Sequence, residues 1–177
     1  VETCFPRSRV INNSCSRIDS TQVLACLDQL VEEDDDLVLL EVGTNDRKRE
    51  DGAKCLTENL RKLIRILQER GKRVILMCPN PSTATNEAQA NRFFHMDQVN
   101  AIMAEAAEEA GILFVSQYEY ILGELTREGR DLETLMMDGV GVHDGLHPPD
   151  RVHEMMFDHL LEALKLPPAC EIINIHG

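Results

Sequence analysis

The stretch Leu37-Val38-Leu39-Leu40-Glu41-Val42-Gly43-Thr44-Asn45-Asp46 passes from a nearly continuous apolar run into a polar turn. A short apolar run without alternation is expected of a strand buried on both faces. A helix follows it, with Leu56, Leu60, Leu63, Ile64 and Leu67 on one face and Gly71 as its stop. The pattern then repeats. Val74-Ile75-Leu76-Met77 reads as a second buried strand, broken at Pro79 and Pro81, and residues 82–91 read as an irregular loop. The stretch 93–110 is helical up to Gly111, and Ile112-Leu113-Phe114-Val115 is a third strand. One or two short helices fill 118–136, a Gly-rich loop spans 138–149, and a last helix runs from Arg151 to Lys165.

Upstream of the opening stretch, residues 8–12 read as a short strand. Ser20 is placed to cap a helix carrying Val23, Leu24, Leu27, Leu30 and Val31. The five consecutive acids Glu32 to Asp36 are expected to form a solvated turn. Strands alternating with helices of this length imply a parallel sheet covered on both sides, a three-layer α/β/α architecture. The expected organisation is one domain over 1–177, with a core over 4–165 and a tail over 166–177. In such sheets ligands sit at the carboxyl ends of the strands. That rim holds Gly43 to Asp46, Pro79-Asn80 and the loop after residue 116.

Eighteen basic residues stand against 31 acidic ones, a net charge of −13. Such a surface repels phosphate backbones, so nucleic acid is disfavoured as a partner. The cluster Arg47-Lys48-Arg49 is expected to be a solvated loop. No apolar run has the length of a membrane span, and no leader pattern is visible, which points to a cytoplasmic protein. The cysteines at 4, 15, 26, 55, 78 and 170 show no metal-finger spacing. Cys26, Cys55 and Cys78 fall on apolar stretches and are expected to be buried free thiols; Cys4 and Cys15 could pair. No cofactor is called for.

Two motifs carry chemistry. Gly43-Thr44-Asn45-Asp46 lies at the exit of a buried strand, where an Asn amide can donate to a developing oxyanion. Asp144-Gly145-Leu146-His147-Pro148 lies just before the last helix. An Asp three residues ahead of a His can hold one ring nitrogen and leave the other free as a general base. A metal site from His143, Asp144, His147, Asp150 and His153 is a competing reading. It is weakened because His143 and His147 lie in a Gly/Pro loop rather than on one helix turn.

Together, in this order on a β/α chain, the two motifs resemble those of the SGNH (GDSL-type) hydrolase family, over roughly residues 4–165. The resemblance implies a flavodoxin-like parallel sheet and a Ser-His-Asp esterase with a small-molecule ester substrate. Asn45 would be the oxyanion donor, His147 the base and Asp144 its orienting partner. Gly43 would permit the turn that exposes Asn45, and Asp46 would fix the loop.

The chain departs from the family in one place. The family's Gly-Asp-Ser segment ends a first strand between the strands at 8–12 and 37–42, yet no glycine precedes Gly43 here. Arg7 or Arg17 stands where the family's second motif has its glycine. The nucleophile is therefore Ser8, Ser14, Ser16, Ser20 or a serine outside the chain. The empty central slot requires a missing segment or the tail Glu171 to Gly177, which reads like a strand ending in Gly. The alternative to a carboxylic ester hydrolase is an inactive binding module of the same fold for a protein partner, with RNA disfavoured by the charge.

Overall fold

The computed structural model describes residues 9–164. In chain order the elements are α1 (Ser20–Ala25), α2 (Leu27–Leu30), β1 (Leu37–Leu40), a 3-10 turn (Asp46–Lys48), α3 (Gly52–Glu69) and β2 (Arg73–Cys78). They continue with α4 (Ala84–Glu87), α5 (Met96–Ala110), β3 (Leu113–Ser116), α6 (Gln117–Glu128), α7 (Leu132–Leu135) and α8 (Asp150–Ala163). The strands form one parallel sheet in the order β1-β2-β3, with Leu40 opposite Leu76 and Met77 opposite Val115.

Alternation along β2 divides the core. Val74, Leu76 and Cys78 face α3 and α5, while Ile75 and Met77 face α8 through Leu160, Ala163 and Leu164. Leu56, Leu60, Leu63 and Leu67 of α3 are all fully buried, as their spacing of three and four residues predicts. Truncating any one to alanine would cost about 2–5 kcal/mol, so this face anchors the sheet. The expected α/β architecture is therefore present, with helices on both faces of a parallel sheet.

The first third differs from expectation. Residues 9–12 form no strand and make no backbone–backbone hydrogen bond among the described residues. Without a neighbour, an extended segment has no ladder to join. For the same reason β1 is not buried on both faces. Val38 and Leu40 pack toward α3, but Leu37 is 43% and Leu39 44% exposed. Among the described residues β1 pairs only with β2, so its other edge is open.

Asp19, not Ser20, caps the first helix, in a capping box with Gln22. That helix breaks at Cys26 instead of running on to Val31. The loop after β2 contains the short helix α4. Cys78 is buried as expected, but Cys26 is exposed and Cys55 half-buried beside Asp51. Arg47 is not solvated: it is fully buried. Among the described residues no helix is long and apolar enough to cross a membrane. Ser8, Cys4, Arg7, Cys170 and the strand-like tail 171–177 lie outside the described residues.

Candidate active site

Both motifs stand at the carboxyl ends of the strands. Gly43 follows β1 with φ +108, and a Cβ there would lie 2.6 Å from Val99 Cγ1. Glycine thus serves both the backbone angle and the close packing on α5. The chain turns through Asn45 into the 3-10 turn. Asn45 Nδ2 donates to the Ile18 carbonyl at 3.1 Å, and its Oδ1 accepts from Lys48 Nζ at 2.9 Å. A primary amide has two N–H bonds, so one has no partner among the described residues.

Asp46 is fully buried and accepts from the Ser20 amide at 3.0 Å and from the Ser20 hydroxyl. Burial pushes the Asp46 carboxyl above its ordinary value, although both Ser20 bonds pull the other way. The Ser20 hydroxyl also accepts from Asn59 Nδ2 at 3.0 Å. Ser20 is thereby committed to tying α1 to the loop and to α3. Ser14 and Ser16 are exposed, and neither bonds to His147. The Ser14 amide donates to Asn12 Oδ1 at 3.0 Å, a local turn contact.

The Asp144–His147 pair is assembled within one short loop. Asp144 Oδ1 accepts from the amides of Leu146 at 3.0 Å and His147 at 2.9 Å, and Oδ2 lies 2.7 Å from His147 Nδ1. Burial pushes the Asp144 carboxyl up, but these hydrogen bonds and the nearby imidazole outweigh it and hold the group below its ordinary value. Nδ1 is engaged, and Nε2 has no partner among the described residues. The His147 side chain is 65% exposed, so that nitrogen is accessible.

The sequence pattern did not single out what holds this loop. The Thr83 amide donates to the Gly145 carbonyl at 2.8 Å. Asn80 Nδ2 donates to the Leu146 carbonyl at 3.1 Å, and Asn86 Nδ2 to the Asp144 carbonyl at 3.3 Å. Gly145 sits at φ +73, where a Cβ would fall 2.1 Å from Thr83 Oγ1. Arg47 links the other motif to the same segment, through Glu87 at 2.6 Å and Ser82 at 3.3 Å. The loop after β2 thus braces both motifs; the one sequence signal for it was Pro79-Asn80 at the strand exit.

The metal reading finds no geometric support. Among the described residues no three His, Cys, Asp or Glu side chains group around a common point. His143 Nε2 instead lies 3.1 Å from the Gly139 carbonyl, and Asp150 accepts from the amides of Val140 and Arg151.

Comparison with known proteins gives the family and the fold. The model of the GDSL-like lipase/acylhydrolase family matches residues 2–155. An arylesterase of Vibrio mimicus is 41% identical over 69 residues, which are 38% of this chain and 34% of that protein, so the match spans about a third of the relative. Among solved structures, an acetylxylan esterase from Geobacillus stearothermophilus superposes with a TM-score of 0.75 at 22% identity, over 94% of this chain and 77% of that one. An alpha/beta hydrolase from the metagenome of Lake Arreo, Spain, gives 0.73 at 21% identity, over 93% and 77%. At these identities the structural likeness shows the fold. Catalytic mutants of the acetylxylan esterase replace a serine, an aspartate and a histidine, the last two three positions apart.

Proposed function

Because the chain belongs to the GDSL-like lipase/acylhydrolase family, we propose that it serves hydrolysis of a carboxylic ester by a Ser-His-Asp mechanism. His147 Nε2 takes the serine proton as the oxygen attacks the ester carbonyl, and later returns a proton to the leaving alcohol. Asp144 holds the other ring nitrogen and stabilises the imidazolium that forms. The free N–H of Asn45 receives the oxyanion. Water then resolves the acyl-enzyme with the same base.

The nucleophile would be a serine outside the described residues, and the edge of β1 left open among the described residues is where a strand carrying it would pair. Two observations support that placement: Leu37 and Leu39 are exposed beside an unpaired edge, and residues 9–12 also lack a ladder partner. The observation that carries the hydrolase reading is the engaged Nδ1 and accessible Nε2 of His147, the arrangement a general base needs.

The likeness to an arylesterase and to an acetylxylan esterase makes p-nitrophenyl acetate, an aryl acetate, the first substrate to test. His147→Ala should lower its turnover by on the order of a thousandfold or more while the melting temperature is kept. Turnover that survives the substitution, or none in the unaltered protein, rejects the reading.

A further inference from the structure

Beside the candidate site of this strongly acidic chain lies a group of cations that pair with no carboxylate among the described residues. Lys48 Nζ sits 2.9 Å from Asn45 Oδ1. Arg92 donates to Asn86 Oδ1 through Nη2 at 3.3 Å, and Asn86 in turn donates to the Asp144 carbonyl. The Phe93 amide donates to the Arg47 carbonyl at 2.8 Å, which pins the segment bearing Arg92 against the segment bearing Lys48. Arg17 precedes Ile18, whose carbonyl Asn45 holds. The cations therefore border both the proposed oxyanion donor and the Asp144–His147 loop.

Three features separate this cluster from ordinary surface charge. First, Arg17, Lys48 and Arg92 pair with no carboxylate among the described residues; Lys62, Lys72 and Arg73 also lack one, but Arg17 and Arg92 lie near enough to Lys48 for both to act on its charge. With 31 acids available, leaving like charges together is unfavourable unless something else meets them. Second, burial and the charges of Arg92, Arg17 and Arg47 push the Lys48 ammonium below its ordinary value. Third, Arg17 is the non-glycine residue at positive φ among the described residues, at +69. A long side chain in that region is uncommon and costs backbone strain. Behind the cluster, fully buried Arg47 has one nitrogen, Nη2, without a hydrogen-bond partner among the described residues. The nearby acids have partners of their own, Glu87 with Arg47 through Oε1, Asp46 with Ser20 and Asp144 with His147, although Glu87 Oε2 has no hydrogen-bond partner among the described residues.

The geometry points to an anion subsite formed by Arg17, Lys48 and Arg92, which selects ester substrates carrying a carboxylate or phosphate near the scissile bond. It rests on the hydrolase reading for the word substrate, but its binding can be measured without turnover. Guanidinium and ammonium groups both suit these anions, the former bidentately.

The test is titration calorimetry of the whole protein at low salt with three probes. Monomethyl succinate carries a carboxylate, 2-acetoxyethyl phosphate carries a phosphate, and dimethyl succinate is neutral. At least one anion should bind about tenfold more tightly than the neutral ester, and which one does identifies the anion. Arg17→Gln and Arg92→Gln should each remove part of that preference and together abolish it, while Arg61→Gln leaves it unchanged. A preference under about threefold, no binding of either anion, or an equal loss in Arg61→Gln overturns the subsite. Anion binding without turnover would uphold the subsite and fail the hydrolase reading; turnover without charge preference would do the reverse.

Discussion

The loop over 144–147 and the edge at β1 lie in one sheet's surroundings but are in opposite states of completion. The loop is held at three points by Asn80, Thr83 and Asn86, all on the segment after β2, and its Asp144–His147 pair is aligned. The edge exposes Leu37 and Leu39 and, among the described residues, a row of unpaired backbone groups. Preorganisation can therefore be local. A base and its orienting carboxylate need only a short loop and its braces, whereas a nucleophile at the end of a central strand needs the whole sheet beside it. An unpaired edge also invites association with another strand, which natural sheets otherwise block.

The sharpest way to break the comparison is at the finished end. Asp144→Asn keeps the shape of the loop but removes the carboxylate that fixes the imidazole. Turnover of p-nitrophenyl acetate should fall by about a thousandfold to ten-thousandfold. A loss under tenfold would mean that the pair is not the catalytic one.

At the open end, Leu39→Lys asks whether another strand covers the edge. With the edge exposed as described, the change should be nearly neutral to stability. With a strand paired to β1 and its face covered, burying the ammonium should cost about 2–4 kcal/mol, read by denaturant unfolding. The account predicts the cost in the active protein, and a neutral outcome there would argue that the slot stays open.

Gly145→Ala has the smallest expected effect and probes the bracing itself. The new Cβ meets Thr83 Oγ1 at a position of positive φ, so the loop must shift, at about 1–3 kcal/mol. Turnover should fall more than this global stability loss suggests, because the shift falls on His147. An unchanged rate would show that the loop tolerates movement.

The architecture was legible because apolar runs and three-four spacings record burial directly, as in α3 and β2. Residues 37–42 misled for the same reason. Their apolar run records a sheet interior, but a sequence pattern cannot say whether a neighbouring strand and a covering layer are present to bury Leu37 and Leu39. The strand at 8–12 failed on that missing ladder too. The Asp144–His147 pair was legible because both residues lie in one loop. The burial of Arg47 was not, because its partner Glu87 is 40 positions away and only the fold brings the two together. Asn80, Thr83 and Asn86 were hidden likewise, since they act on the loop through backbone carbonyls that any sequence would supply.

The most direct test of the account is covalent labelling with a fluorophosphonate, followed by mass mapping of the tag, in the unaltered protein and in His147→Ala. The account predicts a single labelled serine other than Ser20, with labelling lost in His147→Ala. No labelled serine, or labelling that survives the substitution, would contradict it.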